Sequence, residues 1–117
     1  MAVVFLVIAA GSAMVLAIGI FALLGKLPRN GWAGIRTPYT MRSDENWLRT
    51  HRFGAPLLIF GSVATLSASI AFLPFALAGK VSDGLAGAVS LSCAAVLGAS
   101  AIAAWLYGVN KAKASAP

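Results

Sequence analysis

Three long apolar stretches without a charged residue constrain the fold more than any other feature of this sequence. They run from about residue 2 to 24, from about 55 to 78 and from about 85 to 107. Each has the roughly 20 residues that an α-helix needs to cross the hydrocarbon core of a bilayer. Of the 117 residues, 60% are hydrophobic and only 10% are charged. The sequence therefore predicts an all-α integral membrane protein, with three transmembrane helices in a single domain.

The ends of these stretches carry further signals. A secretory signal peptide begins with a basic segment and has a shorter apolar core, so we expect the first stretch to remain as a membrane helix. Pro56 lies where a first helical turn tolerates its missing N–H, whereas Pro74 is expected to kink or end the second helix. Trp105 and Tyr107 are residue types typical of the membrane interface.

A polar loop, residues 25–54, separates the first two spans. Proline and glycine recur between residues 28 and 38, which favours turns over a continuous helix. Ser43 then offers a helix N-cap, and two acidic residues follow it in the position that suits the helix dipole. These signals predict a turn-rich segment followed by a short interfacial helix over 44–53.

The basic residues predict the orientation of the chain. Six of the nine lie in the polar loop, two lie in the segment after the third span, and Lys80 alone lies in the connector between the second and third spans. The positive-inside rule then places the loop and the C-terminus in the cytoplasm and the N-terminus outside. Basic residues beside membrane spans suit anionic membrane lipids, so we do not expect nucleic acid as a partner. The segment 108–117 is expected to be a disordered tail.

Small residues at helical spacing predict how the spans pack, because close approach in lipid depends on small side chains. The third span offers Gly87, Ser90, Ala94, Gly98 and Ala101, and the second offers Gly61, Ala64 and Ala68. Packing within the chain is the simplest interpretation. Self-association, or docking onto a larger membrane partner, is the alternative.

The sequence lacks the usual residues of catalytic and transport sites. None of the three spans contains an ionisable Asp, Glu, Lys, Arg or His side chain, which proton pathways require. A single Cys93 allows no disulfide within the chain, and one histidine without a carboxylate or cysteine cluster gives no metal site. We therefore predict no catalytic residues, no metal and no cofactor.

Three residues of the loop remain as candidates for binding. Arg36 lies among turn residues, and its planar donor group suits phosphate or carboxylate. We expect turn carbonyls, or Asp44 or Glu45, to hold it. Trp47 and His51 lie four residues apart on one helix face. Trp47 is interpreted as an interface anchor or a ligand-stacking residue, and His51 as a structural or a catalytic group.

The motif P-x-N-x-x-x-G-I-R-T-P-x-T-x-x-S-x-x-x-W-x-x-x-H-R at residues 28–52 resembles the signature of the SdpI/YfhL family of bacterial membrane proteins. The resemblance implies a non-enzymatic, multi-pass protein of the bacterial plasma membrane. In that family, protection against a membrane-active toxin peptide and sequestration of a transcriptional repressor are known. This chain resembles a short, three-helix form. The resemblance implies a shared binding site of Pro28, Asn30, Gly34, Arg36, Thr37, Pro38, Thr40, Ser43, Trp47 and His51.

Three functional hypotheses follow. The first is protection against a toxin peptide, or signalling of its presence to a cytoplasmic regulator. The second is an accessory subunit of a larger membrane transport or envelope-lipid complex. The third is an enzyme acting on a lipid head group, with Arg36 on the phosphate and His51 as the base. The sequence places no nucleophile or orienting carboxylate beside His51, which argues against the third hypothesis.

Overall fold

The computed structural model describes residues 2–115, which form three helices and a polar loop, with no strand in that range. Helix α1 covers Ala2–Leu23, α2 covers Asp44–Leu77 and α3 covers Asp83–Ser115, and a 3₁₀ turn over Thr40–Arg42 precedes α2. Each α-helix is long and apolar enough to cross a membrane. The prediction of an all-α protein with three membrane-spanning helices is confirmed.

Helix α2 is the centre of the bundle. It packs along both α1 and α3, whereas α1 and α3 contact each other at few points. The molecule is accordingly elongated, about 56 Å in its long dimension and 20 by 19 Å across. This arrangement leaves a cleft between α1 and α3 with α2 at its base.

The separate interfacial helix predicted over 44–53 is not confirmed, because α2 runs without a break from Asp44 to Leu77. Its predicted N-cap is present, since the Asn46 N–H donates to Ser43 Oγ at 3.1 Å. The buried face of α2 continues from the first turns into the bundle, so a break would interrupt one packing surface. Pro56 lies inside the helix, and α2 ends three residues after Pro74.

Helices α2 and α3 approach closely through glycine. A Cβ at Gly54 would lie 2.7 Å from the Ala104 carbonyl oxygen, and one at Gly108 would lie 2.7 Å from the Thr50 carbonyl oxygen. Any side chain at either position would force the helices apart. Small residues thus determine this interface, as expected for helices that pack in lipid.

Our prediction of which face of α3 packs inside the chain is mostly wrong. The buried small residues are Ala86, Cys93, Ala104, Gly108 and Ala112. The predicted stripe is exposed at Gly87, Ala94, Gly98 and Ala101, and half-buried at Ser90. Small residues cover more than one face of this helix, so their spacing alone could not identify the packed one. On α2, Gly61 is buried as predicted, whereas Ala64 is exposed.

The prediction of a disordered tail from residue 108 is also wrong for the described part, because α3 continues to Ser115. Residues 116 and 117 lie outside the described residues. Val109 and Ala112 are buried, and the Lys113 ammonium lies 5.3 Å from the centre of the Tyr39 ring. The last turns of α3 therefore pack against the polar loop, which explains why they stay helical.

Candidate functional site

The polar loop folds back onto the first turns of α2. We call residues 27–43, together with Trp47 and His51 of α2, the clasp. These first turns carry the charges of α2, so they lie outside its uncharged membrane-spanning part, which begins at about residue 55. The clasp contains all ten predicted site residues.

Trp47 fastens the beginning of the loop. Its side chain is fully buried, and its indole Nε1–H donates to the Leu27 carbonyl at 2.9 Å. The ring also packs against His51, with 4.1 Å between ring centres. Trp47 therefore holds protein backbone, and its two predicted roles, interface anchor and ligand-stacking residue, stay predictions.

His51 fastens the middle of the loop with both ring nitrogens. The Ile35 N–H donates to His51 Nε2 at 2.8 Å, so Nε2 carries no proton. His51 Nδ1 lies 2.8 Å from the Trp47 carbonyl oxygen, which accepts, so Nδ1 carries the proton of a neutral ring. Burial lowers the pKa of the imidazole below its ordinary value, and the bond to the Trp47 carbonyl opposes that shift only in part. The structure thus supports a structural role for His51.

Gly34 makes this contact possible. Its φ of +108° is unfavourable for other residue types. A Cβ at this position would lie 2.6 Å from His51 Nε2 and 3.1 Å from the Trp47 ring. Only glycine lets the backbone approach closely enough for Ile35 to reach the imidazole.

Two threonines close the next turn reciprocally. The Thr37 N–H donates to Thr40 Oγ1 at 2.8 Å, and the Thr40 N–H donates to Thr37 Oγ1 at 3.1 Å. The buried Thr40 hydroxyl also donates to the Ile35 carbonyl at 2.8 Å. His51 and Thr40 therefore hold both backbone polar groups of Ile35, and Pro38 lies exposed between the threonines.

Asn30 holds the first turn of the loop. Its Oδ1 accepts from the N–H groups of Trp32 and Ala33, at 3.0 and 2.6 Å. Its Nδ2 donates to the carbonyl of Pro28, an exposed residue, at 2.8 Å. This side chain thereby replaces several backbone bonds of an irregular turn, a common role of asparagine.

Arg36 is held by a turn carbonyl, because its Nη1 donates to the carbonyl oxygen of Gly31. We expected either a turn carbonyl or a carboxylate to hold Arg36, and the structure shows the turn carbonyl. The two acidic residues pair with other arginines: Asp44 lies 3.2 Å from Arg29, and Glu45 pairs with Arg49. Arg36 itself is exposed at the outer surface of the clasp.

Several residues that we did not identify from the sequence complete the clasp. Arg29 also donates to the Met41 carbonyl at 3.0 Å, which links the beginning and the end of the loop. Asn46 donates through Nδ2 to the Tyr39 carbonyl at 3.0 Å. A backbone acceptor such as the Leu27 carbonyl cannot be recognised from the sequence, because every residue type has a backbone carbonyl. The spacing of four in Ala104, Gly108 and Ala112 could have revealed the α3 contact.

The arrangement is a network of internal hydrogen bonds without an assembled reaction centre. Between residues 2 and 115, no three His, Cys, Asp or Glu side chains come together as a metal site. The buried side chains of Thr40, Trp47 and His51 hold backbone groups. Arg36 and Pro38, on the outer surface of the clasp, are exposed. That the ten residues bind a ligand stays a prediction.

Three apolar helices joined by this clasp define a multi-pass membrane protein. The family model of the SdpI/YfhL protein family matches residues 26–108, which include the clasp, all of α2 and most of α3. The chain belongs to the SdpI/YfhL family. Searches of curated proteins and of solved structures each found no match.

Proposed function

We propose that this chain is a non-enzymatic membrane protein that protects a bacterial cell against a membrane-active toxin peptide or signals its presence through the polar loop. Membership of the SdpI/YfhL family supports this proposal. The observation that carries it is the direct coupling of the clasp to the central helix. The basic residues of the loop favour a cytoplasmic location for it, with the N-terminus outside.

The coupling depends on the continuity of α2. One helix extends from the clasp to the opposite end of the bundle, and Trp47 and His51 on its first turns hold the backbone of Leu27 and Ile35. A peptide that shifts α2 within the membrane would therefore also displace the loop. A cytoplasmic regulator that contacts the outer surface of the clasp would sense that displacement.

The geometry of His51 favours a non-enzymatic role. Both ring nitrogens are occupied by backbone partners, so the imidazole is not available as a general base. A general base needs hydrogen-bond reach to a substrate proton. The hypothesis of an enzyme acting on a lipid head group therefore receives no support from this site.

Survival of cells exposed to membrane-active peptides tests the proposal. Cells that carry the gene should survive better than cells that lack it. Gly34→Ala should abolish protection, because its Cβ would meet His51. Gly31→Ala is the matched control, since a Cβ there has no neighbour within 4 Å. Equal survival with and without the gene, at verified membrane expression, would contradict a protective role.

A second function, as an accessory subunit of a larger membrane complex, is favoured by the exposed small-residue face of α3. Gly87 and Gly98 have no neighbour within 4 Å of an added Cβ, so another helix could approach closely there. Purification in mild detergent should then recover a partner in fixed stoichiometry, and Gly98→Leu should release it. Recovery of this chain alone would count against the accessory role.

A further inference from the structure

A groove of about 950 Å³ lies in the cleft between α1 and α3, beside the clasp. Val15 and Ile18 of α1 form one wall, Leu97 and Trp105 of α3 form the other, and Leu58 of α2 contributes to the base. Its volume lies at the upper end of the roughly 300–1,000 Å³ that is usual for small-molecule sites. Because its walls are transmembrane helices, this apolar part of the groove lies at the depth of the lipid acyl chains.

The clasp end of the groove is basic. Arg36, Arg42 and Lys113 line it, and all three are exposed. No acidic residue belongs to the lining. The ion pairs found among residues 2–115 are Arg29–Asp44 and Arg49–Glu45, so no carboxylate in this range neutralises the three cations. This end offers an unneutralised positive charge to an anion.

The dimensions of the groove match one leaflet of a bilayer. Leu97 and Leu106, both on its α3 wall, are nine residues apart in sequence, which is about 14 Å along a helix. Half of a hydrocarbon core about 30 Å thick is about 15 Å. Lys113 lies seven residues further along α3, or about 10 Å. The apolar wall thus has the length of a leaflet, and the cations follow at the depth of the head groups.

We propose that this groove binds one anionic phospholipid from the leaflet on the clasp side. An acyl chain lies against Leu58, Leu97 and Trp105, and the phosphate lies near Arg42 and Lys113. Arg36 can contribute as well, because a guanidinium has five N–H donors and the Gly31 carbonyl engages only Nη1. The site combines the two features that recognise such a lipid: an apolar channel open to the bilayer and a basic end.

This inference goes beyond the proposed function and does not depend on it. A bound lipid would join α1, α3 and the clasp on the side where α1 and α3 leave a gap. An anionic head group also neutralises cations that would otherwise repel one another. The groove therefore has a chemical reason to prefer an anionic over a zwitterionic lipid.

Native mass spectrometry of the full chain in mild detergent tests the proposal. The protein is offered equal amounts of phosphatidylglycerol and phosphatidylcholine with identical acyl chains. We expect one tightly held phosphatidylglycerol, preferred over phosphatidylcholine by roughly 10- to 30-fold at low ionic strength. Equal retention of both lipids, or of neither, would overturn the proposal. Displacement of the bound lipid by inorganic phosphate alone would show a simple anion site and overturn it too.

Charge variants locate the head group. The double variant R42Q/K113Q removes two groove cations and should abolish most of the preference. The double variant R52Q/K111Q removes the same charge from exposed side chains outside the groove and should preserve the preference. An equal loss in both variants would show that net charge alone attracts the lipid, which would overturn the assigned site.

A second pair of variants tests the acyl channel without changing charge. Ala101 lines the groove, whereas the exposed Ala99 on the same helix does not. Ala101→Trp should reduce the retained lipid at least fivefold, because the indole fills the channel, and Ala99→Trp should leave retention unchanged. Unchanged retention in Ala101→Trp would overturn the proposal, even if the charge variants failed to fold.

Discussion

The clasp and the groove share residues 34–39 and Arg42, but the polar groups inside the clasp are buried and paired whereas those in the groove are exposed. Inside the clasp, Thr40, Trp47 and His51 are at most 1% exposed and hydrogen-bonded to the backbone. In the groove, Arg42 and Lys113 are exposed and without a carboxylate partner in the described chain. The clasp therefore has an inner side that builds structure, and its outer side, toward the groove, carries exposed positive charge.

A residue in this region can therefore matter in two ways, for the stability of the fold or for ligand binding. Substitution on the inner side should reduce stability first, and function only as a consequence. Substitution on the outer side should change ligand binding and leave stability nearly unchanged. The following variants are ordered by the expected size of their effect on stability.

Gly34→Ala should have the largest effect. It combines a strained positive φ with the loss of the bond between Ile35 and His51, so we expect a loss of about 3 kcal/mol in the free energy of unfolding. Unfolding in detergent micelles measures it, with Gly31→Ala as the control, which should change stability by less than about 0.5 kcal/mol. Equal stability of the two variants would remove Gly34 from the inner side of the clasp.

Trp47→Phe should cost about 2 kcal/mol, because the Leu27 carbonyl loses its donor and the smaller ring leaves a cavity. Trp32→Phe serves as the control, since Trp32 is 81% exposed and its replacement should have almost no effect. The same unfolding measurement compares the two. A larger loss for Trp32→Phe would reverse the assignment of buried and exposed roles.

Tyr39→Phe should have the smallest effect, since the buried Tyr39 hydroxyl has no hydrogen-bond partner in the described structure. Removing an unsatisfied polar atom is neutral or slightly stabilising, so we expect a change of less than about 0.5 kcal/mol. The phenylalanine ring would retain its contact with Lys113. A loss above about 1 kcal/mol would reveal a bond of this hydroxyl that the structure lacks.

The sequence predicted the parts of the fold that depend on composition. Three uncharged stretches were sufficient to predict the three helices, and Ser43 was sufficient to predict where α2 begins. The buried face of α3 was not predictable in the same way, because small residues occur on several of its faces. The helical end of α3 was missed because a short polar segment looks disordered until its partner, the loop, is known.

The candidate site was predictable as a segment, although its chemistry was not. The motif identified ten residues that all lie in the clasp. Their spacing could not show that Trp47 and His51 hold the loop backbone, because a backbone acceptor can belong to any residue type. The groove was missed for a related reason: Arg42 and Lys113 are 71 residues apart in sequence and approach one end of the groove only in the folded chain.

The protonation state of His51 tests the clasp most directly, and His51 is the only histidine in the chain. Because its pKa is lowered in the folded state, the unfolded chain binds more protons in acid. Stability should therefore be full above the ordinary value of 6.5 and should fall as the pH drops below it.

Nitrogen-15 NMR of histidine-labelled protein in micelles measures that state. We expect a protonated Nδ1 and an unprotonated Nε2 in the folded protein, and titration of the folded ring only below the ordinary value of 6.5. A titration of the folded protein centred near 6.5, with both nitrogens protonated below it, would contradict the account. It would show that Ile35 does not donate to His51 and that the clasp is open.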